Sequence, residues 1–459
     1  MGNQSSKKCA LLQEKLSGFS SMERERLNTV FEKIVDSQGQ QLLDNREENI
    51  SILSPLRESL STFFKTEGHL KEKEKGKITQ LSFINGVHQL LRSSVDEKCK
   101  AMHSILSHSQ ISLKNFVQTI SLTALHFWTQ EKSFTINPKN MTPEHFVNYI
   151  LLYPFLKLGE PEDATEQGTW LTRCEGSLEY DSLYSWFQKN GLFQRLLEVA
   201  LTETFIHDPA AISNAAPDII AQTRSKNLII PAVSCKSHLL KPSDMWFLNK
   251  NMPIDCRQRW DLLFSSKVDG KSWSTFQSRI EGMGSLLIVI KEKGSSEHIF
   301  GGFVYEPLEL KPKFYGCSDN FLFTINPNMR VYSTSRYNEN FQYFNFGTKT
   351  LPNGFGMGGQ YDYFGLWINS DFETGHSKAG PFCSTYNSTQ LSRSEYFDID
   401  EVEVFCVKEV ERDPNLLPPK RSAMDTNADA VALLEMANRK MYSKDLREPD
   451  LGLDDSDEE

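Results

Sequence analysis

Three glycines in the stretch LPNGFGMGGQ, Gly354, Gly356 and Gly359, fall in the pattern G-x-G-x-x-G. Glycine at those spacings lets a backbone approach a pyrophosphate, so the chemistry on offer is nucleotide binding. Asp371 and Glu373 lie near the distance at which a ribose-binding acid follows such a motif. Gly270-Lys271-Ser272 ends like a phosphate loop, but Ser265 stands where that loop needs its first glycine. Cys383 and His376 suggest another chemistry, because an imidazole beside a thiol can generate a nucleophilic thiolate. The patterns G-x-S-x-G and H-E-x-x-H are absent from the sequence.

The elements around these residues decide among the chemistries. A dinucleotide fingerprint must close a strand and open a helix, since the helix N-terminus supplies the anion site. Here LPNG is turn text and YDYFGLWIN is strand text, with no helix to hold a phosphate. The glycines are therefore expected at tight bends or close sheet packing, and Asp371 and Glu373 lose their partner role. Nearness in sequence does not place Cys383 beside His376, so a packed or surface thiol is the plainer expectation. After Pro231 the chain runs through short apolar segments: RWDLLFSS, SLLIVI, IFGGFVY, FLFTI, RVYSTS, FQYFNF, YFGLWI and EVEVFCV. Gly, Pro, Asn and Asp clusters separate them, as in an antiparallel sandwich, and one amphipathic helix is expected near 273–280.

Several of these segments occur in order with RWDLLFSSKVDGKSWSTF, IFGGF, FLFTINP, YFGLWINSDFETGHS, CSTYNSTQLS and FDIDEVEVFCV. Across residues 235–410 this text resembles the TLDc domain family. The resemblance implies a two-sheet β-sandwich with flanking helices and no established active site. It also implies the lysosomal membrane as location, with the proton-pumping ATPase and the mTOR machinery as partners. The alternative it leaves is a thiol-dependent oxidation-resistance activity through Cys383 or Cys317.

Ahead of the sandwich, apolar residues recur at helical spacing, as in Leu27, Val30, Phe31 and Ile34, then Leu56, Leu60, Phe63 and Phe64. The segment from Lys71 fits the frame of a calcium-binding EF-hand loop, with Gly76 at position 6, Ile78 at position 8 and Phe83 opening the next helix. Its ligand positions hold Lys71, Lys73, Lys75 and Ser82, which cannot coordinate a cation. ISLKNFVQTI, from Ile111, repeats the cadence without acidic ligands. Either a degenerate EF-hand pair or an unrelated helical bundle is consistent with this text, and both imply no metal. More helical text follows, broken by Pro154, Pro161 and GEPEDATEQG.

The two ends carry signals of another kind. MGNQSSKKCA matches the myristoylation pattern, with Gly2 as acceptor and Ser6 in place. One myristoyl chain holds a membrane with an association constant of only about 10⁴ M⁻¹, so a second signal is needed. Lys7 and Lys8 can meet anionic lipid, and Cys9 is a candidate palmitoylation site. At the other end, DPNLLPPKR reads as a linker and MDTNADAVALLEMANRKMY as a helix. Val431, Leu434, Ala437 and Met441 fall on one stripe that a partner groove could take.

The bulk numbers set limits. A net charge of −10 over 459 residues, without a basic face, argues against nucleic acid. The eight cysteines contain no C-x-x-C pair, which points to reduced thiols in the cytoplasm. No apolar run reaches the ~18 residues of a membrane span. The expected fold is therefore α+β and multidomain. It comprises a lipidated segment (1–19), an all-α EF-hand-like region (20–147), a second helical region (148–232), the TLDc sandwich (233–411) and a linker, helix and acidic tail (412–459). No cofactor or metal is expected, and the function implied is a non-enzymatic membrane-tethered adaptor.

Overall fold

A computed structural model describes residues 2–36, 54–66, 77–128, 142–156, 164–206, 230–294 and 297–410. The chain divides into two units, one comprising Met1–Ala232 with Leu240–Gln258 and the other Val233–Leu239 with Arg259–Glu459.

The first unit is helical: α1 (Gly2–Ser17), α2 (Ser21–Asp36), α3 (Ser54–Thr66), α4 (Gln80–Leu91), α5 (Val95–Ser109), α6 (Leu113–Trp128), α7 (Glu144–Leu152), α8 (Ala164–Cys174), α9 (Tyr180–Lys189), α10 (Gly191–Phe205) and α11 (Pro242–Asn251). Polar residues between the apolar runs set the starts. The Thr79 hydroxyl accepts from Ser82 N at 3.1 Å and the Ser82 hydroxyl accepts from Thr79 N at 2.9 Å, a reciprocal cap for α4. Ser94 and Glu97 do the same for α5. Inside, Phe64, Phe83 and Phe205 meet edge to face, with Phe64 and Phe83 centroids 5.3 Å apart. The C-terminal carbonyls of α7 are met by side chains. Trp170 and Trp186 both donate their indole N–H to Leu151 O, and Asn190 donates to Ile150 O at 2.7 Å. Helix α11 packs on α7 through Phe146 against Trp246 and Tyr149 against Phe247, beside a buried His145–Asp244 contact of 2.9 Å.

Helix α1 covers residues that the sequence suggested only as a lipidated segment. Ile78 and Ile111 lie in no strand; each precedes a capped helix start, with Ser112 accepting from Asn115 N. Ser82, at the last ligand position of the loop frame, spends its side chain on the helix cap. Lys71, Lys73, Lys75 and Gly76 lie outside the described residues, as do 411–459 with Val431, Leu434, Ala437 and Met441.

Among the described residues the second unit holds twelve strands and two helices. The strands are β1 (Ala232–Val233, begun in the other unit), β2 (Arg259–Ser265), β3 (Gly284–Glu292), β4 (His298–Val304), β5 (Lys311–Tyr315), β6 (Phe321–Asn326), β7 (Arg330–Ser333), β8 (Gln342–Asn345), β9 (Gly354–Met357), β10 (Leu366–Asn369), β11 (Thr374–His376) and β12 (Tyr396–Glu409); the helices are α12 (Ser266–Asp269) and α13 (Trp273–Ile280). The strands pair antiparallel in the order β5-β8-β9-β10-β11-β12-β3-β4-β6-β7, with β2 also antiparallel on β12 and β1 on β2. The long β12 serves two sheets. Tyr396–Asp398 pair with β11, and after a bulge near Ile399 the strand runs between β2 and β3. Its burial follows from that path, alternating over Tyr396–Asp400 and then continuous over Val402–Val407.

Between the sheets Leu286, Ile288 and Ile290 of β3 face Phe344, Phe355, Met357, Leu366 and Ile368 in one apolar core. Helix α13 closes it with Trp273, Phe276 and Ile280. Expected strands and helix thus appear, together with β1, β5, β9 and β11, which lie outside the strand runs of the sequence.

Candidate functional site

The glycine-rich stretch is itself a strand. Gly354–Met357 form β9, hydrogen-bonded between β8 and β10. Register then lines up one residue from each of five strands: Tyr343, Gly356, Trp367, His376 and Tyr396. Directly paired antiparallel residues share a face, and this face lies opposite the one that feeds Phe344, Phe355 and Ile368 into the core.

Gly356 stands between Tyr343 and Trp367 in the row because rings cover it. A Cβ there would lie 2.5 Å from Phe364 Cδ1 and 2.9 Å from Trp367 Cε3. Gly354 is held just as closely by Ile368 O and the Trp367 ring, and Gly359 by the Tyr363 carbonyl. The missing side chains let Phe364 and Trp367 stack at 4.5 Å and 24° on the outer sheet face. Trp367 and His376 stack in turn at 6.0 Å and 25°, and Tyr396 closes the row 5.9 Å from His376. Tyr343, Phe364 and Trp367 form a small buried cluster separate from the sandwich core.

Polar contacts fix the rings. Trp367 Nε1 donates to Asn369 Oδ1 at 2.5 Å, and Asn369 donates to the Thr374 hydroxyl at 2.6 Å. Asp371, once a candidate ribose acid, accepts from Glu373 N and Thr374 N and so shapes the β10–β11 turn. Lys378 pairs with Glu395, its ammonium 4.9 Å from the Tyr396 centroid and 5.9 Å from that of Tyr363. Tyr363 stacks with Phe382 at 5.6 Å, both well exposed.

The row floors an open groove of about 810 Å³. Around it stand the carboxylates of Glu292, Asp362 and Asp398 and the ammonium of Lys293. Glu292 is committed to Arg393 N at 2.9 Å. Burial, helped by Lys378, lowers His376 to about 4 against the pull of Asp362. The imidazole is therefore neutral, and its Nε2 is buried without a hydrogen-bond partner. This arrangement can hold a ligand by π contact with Tyr396 and by charge.

The other sequence candidates resolve individually. Cys383 is fully buried against Gly358 and Gly365, and burial pushes its thiol up, away from thiolate. Burial raises Cys317 as well. No hydrogen bond joins Cys383 to His376 among the described residues. Lys271 donates to Ile399 O at 2.6 Å, tying α13's approach to β12 rather than a phosphate. Gly2, Lys7, Lys8 and Cys9 lie on α1, and Cys9 is exposed. Among the described residues no three His, Cys, Asp or Glu side chains gather as a metal site, and no helix is long and apolar enough to cross a membrane. The aromatic row was missed from sequence because its members lie on five strands whose register no local pattern encodes.

The TLDc domain family matches residues 233–408, and a bulged two-sheet sandwich with this match is a TLDc domain. Over 394 residues the chain is 30% identical to the Gallus gallus protein named MTOR-associated protein MEAK7, which covers 83% of this chain and 81% of that one. The Homo sapiens protein of that name is 42% identical over 210 residues, 46% of this chain and 45% of its own. The chain belongs to this TLDc family of MTOR-associated proteins. A more distant similarity, 30% over 180 residues, links it to Oxidation resistance protein 1 of Bos taurus, across 39% of this chain and 19% of that one.

Proposed function

We propose that the chain is a non-catalytic adaptor in mTOR signalling, tethered by its N-terminus to the cytoplasmic face of the lysosomal membrane. The observation that carries the mTOR link is similarity along most of the chain, helical unit included, to a protein named for mTOR association. Tethering rests on Gly2 and Ser6, with Lys7, Lys8 and the exposed Cys9 supplying the second signal one acyl chain needs. The lysosome and the proton-pumping ATPase follow from the family resemblance alone. A non-catalytic role agrees with TLDc thiols at Cys383 and Cys317 that burial pushes up, away from thiolate.

Fractionation of cells expressing the Gly2→Ala chain tests the tether. It should leave the membrane fraction, and retention on lysosomes would overturn acylation as the anchor. Co-precipitation of mTOR by the wild-type chain tests the adaptor role independently, and its absence would overturn that part. Similarity to Oxidation resistance protein 1 favours a second reading, peroxide protection through a TLDc thiol. Loss of protection in Cys383→Ser or Cys317→Ser, with folding intact, would select it.

A further inference from the structure

We infer that the aromatic groove on the outer face of the TLDc sheet is a docking site for an arginine-bearing peptide segment of a protein partner. Three features of the groove select that chemistry. Its accessible π face is the ring of Tyr396, 67% exposed, with the half-buried His376 beside it and the buried Trp367 and Phe364 stacked behind as support. Its rim is acidic, since Asp362 and Asp398 stand against Lys293 while the buried Glu292 is committed to Arg393 N. Asp362 and Asp398 are exposed, and neither carboxylate meets a hydrogen-bond or ion-pair partner among the described residues. An anionic ligand would face those carboxylates, whereas a cation gains from both rim and floor.

The chain itself demonstrates the compatibility. The Lys378 ammonium lies over Tyr396 and Tyr363, and Glu395 neutralises it, so this internal cation leaves the rim negative. Guanidinium suits the site better than ammonium because it is planar, sheds water more readily and can stack on a ring while forking onto a carboxylate. The exposed Tyr363–Phe382 pair adjoins the groove through Lys378 and offers apolar contact to residues flanking the arginine. The surface stands whether or not the chain is acylated.

Fluorescence anisotropy of the full chain with a labelled glycine–serine peptide carrying two arginines tests the inference, with lysine and citrulline versions alongside. The arginine peptide should bind, the lysine version more weakly, and the uncharged citrulline version about tenfold more weakly or worse, as expected for one lost cation–π and charge contact. Tyr396→Ala, and separately Asp362→Asn with Asp398→Asn, should each weaken the arginine peptide about tenfold. These are surface positions, and an unchanged melting temperature confirms that folding is intact. Equal binding of arginine and citrulline peptides, no binding of any of them, or unchanged affinity in the variants would overturn the inference. So would binding of phosphatidylserine vesicles by the Gly2→Ala chain that Tyr396→Ala abolishes and the asparagine pair preserves, which assigns the groove to a membrane.

Discussion

Gly356→Ala separates the packing role of the glycine-rich strand from a nucleotide-binding one. The added Cβ would lie 2.5 and 2.6 Å from two Phe364 ring carbons and 2.9 Å from Trp367 Cε3. Phe364 is fully buried and Trp367 is 4% exposed, so neither ring can swing into solvent to make room. Overpacking of this kind costs about 1–3 kcal/mol. Alanine returns about 0.5–1 kcal/mol because glycine is the weaker strand residue, and the Gly356 backbone needs no positive φ. With buried rings that cannot give way the cost lies in the upper half of that range, about 2–3 kcal/mol, so the net loss is about 1–2.5 kcal/mol, or a fall of about 2–10 °C in the melting of the sandwich unit. Calorimetry with near-ultraviolet circular dichroism reads both the shift and the disturbed aromatic environment. Phe364→Leu in the same chain should relieve the collision, so that the double variant is more stable than the sum of the single effects predicts. An unchanged melting temperature in Gly356→Ala, or strict additivity with Phe364→Leu, would refute the packing argument. A nucleotide that stabilised the wild type and not the variant would restore the other.

Thiol accessibility gives a second outcome. In the folded chain an aromatic disulfide reagent should label Cys9 and Cys235 rapidly, and leave Cys99, Cys174, Cys256, Cys383 and Cys406 protected until denaturant is added. Glu403→Ala should destabilise the sandwich by about 2–4 kcal/mol, because the fully buried carboxylate accepts from the Ser237 hydroxyl at 2.5 Å and His238 N at 2.8 Å. Limited proteolysis should then cut within 233–239, while Glu403→Gln, which keeps an acceptor, is milder. His376 sets part of the acid response. Folding lowers its pKa from 6.5 to about 4, so the unfolded chain takes up a proton that the folded ring refuses. That contribution to stability is complete above pH 6.5 and is lost as pH falls towards about 4. Denaturant midpoints of His376→Phe should therefore decline less steeply with acid over that window than those of the wild type.

Legibility followed the physical signal. β3 and β6 are continuous apolar runs, SLLIVI and FLFTI, because both faces of those strands are covered, and such runs stand out in any window. β5 could not be seen, since KPKFY carries a proline and two lysines at a half-exposed edge. α11 was equally hidden, being buried along most of its length with no polar face to give a helical period. GFGM was the harder case. Glycine disfavours strands, yet here it is required because neighbouring rings occupy the space a side chain would fill. Those rings come from Phe364 and Trp367, and the pairing that sets them over Gly356 becomes visible only once β9 and β10 are in register. The G-x-G-x-x-G spacing thus marks a demand for close approach, and, as its turn and strand flanks led us to expect, the approaching group belongs to the packed sheet. It is the chain's own aromatic row. Its outer end leaves Tyr396 exposed beside the unpartnered carboxylates of Asp362 and Asp398, so the packing that these glycines permit also sets the edge of the cation site.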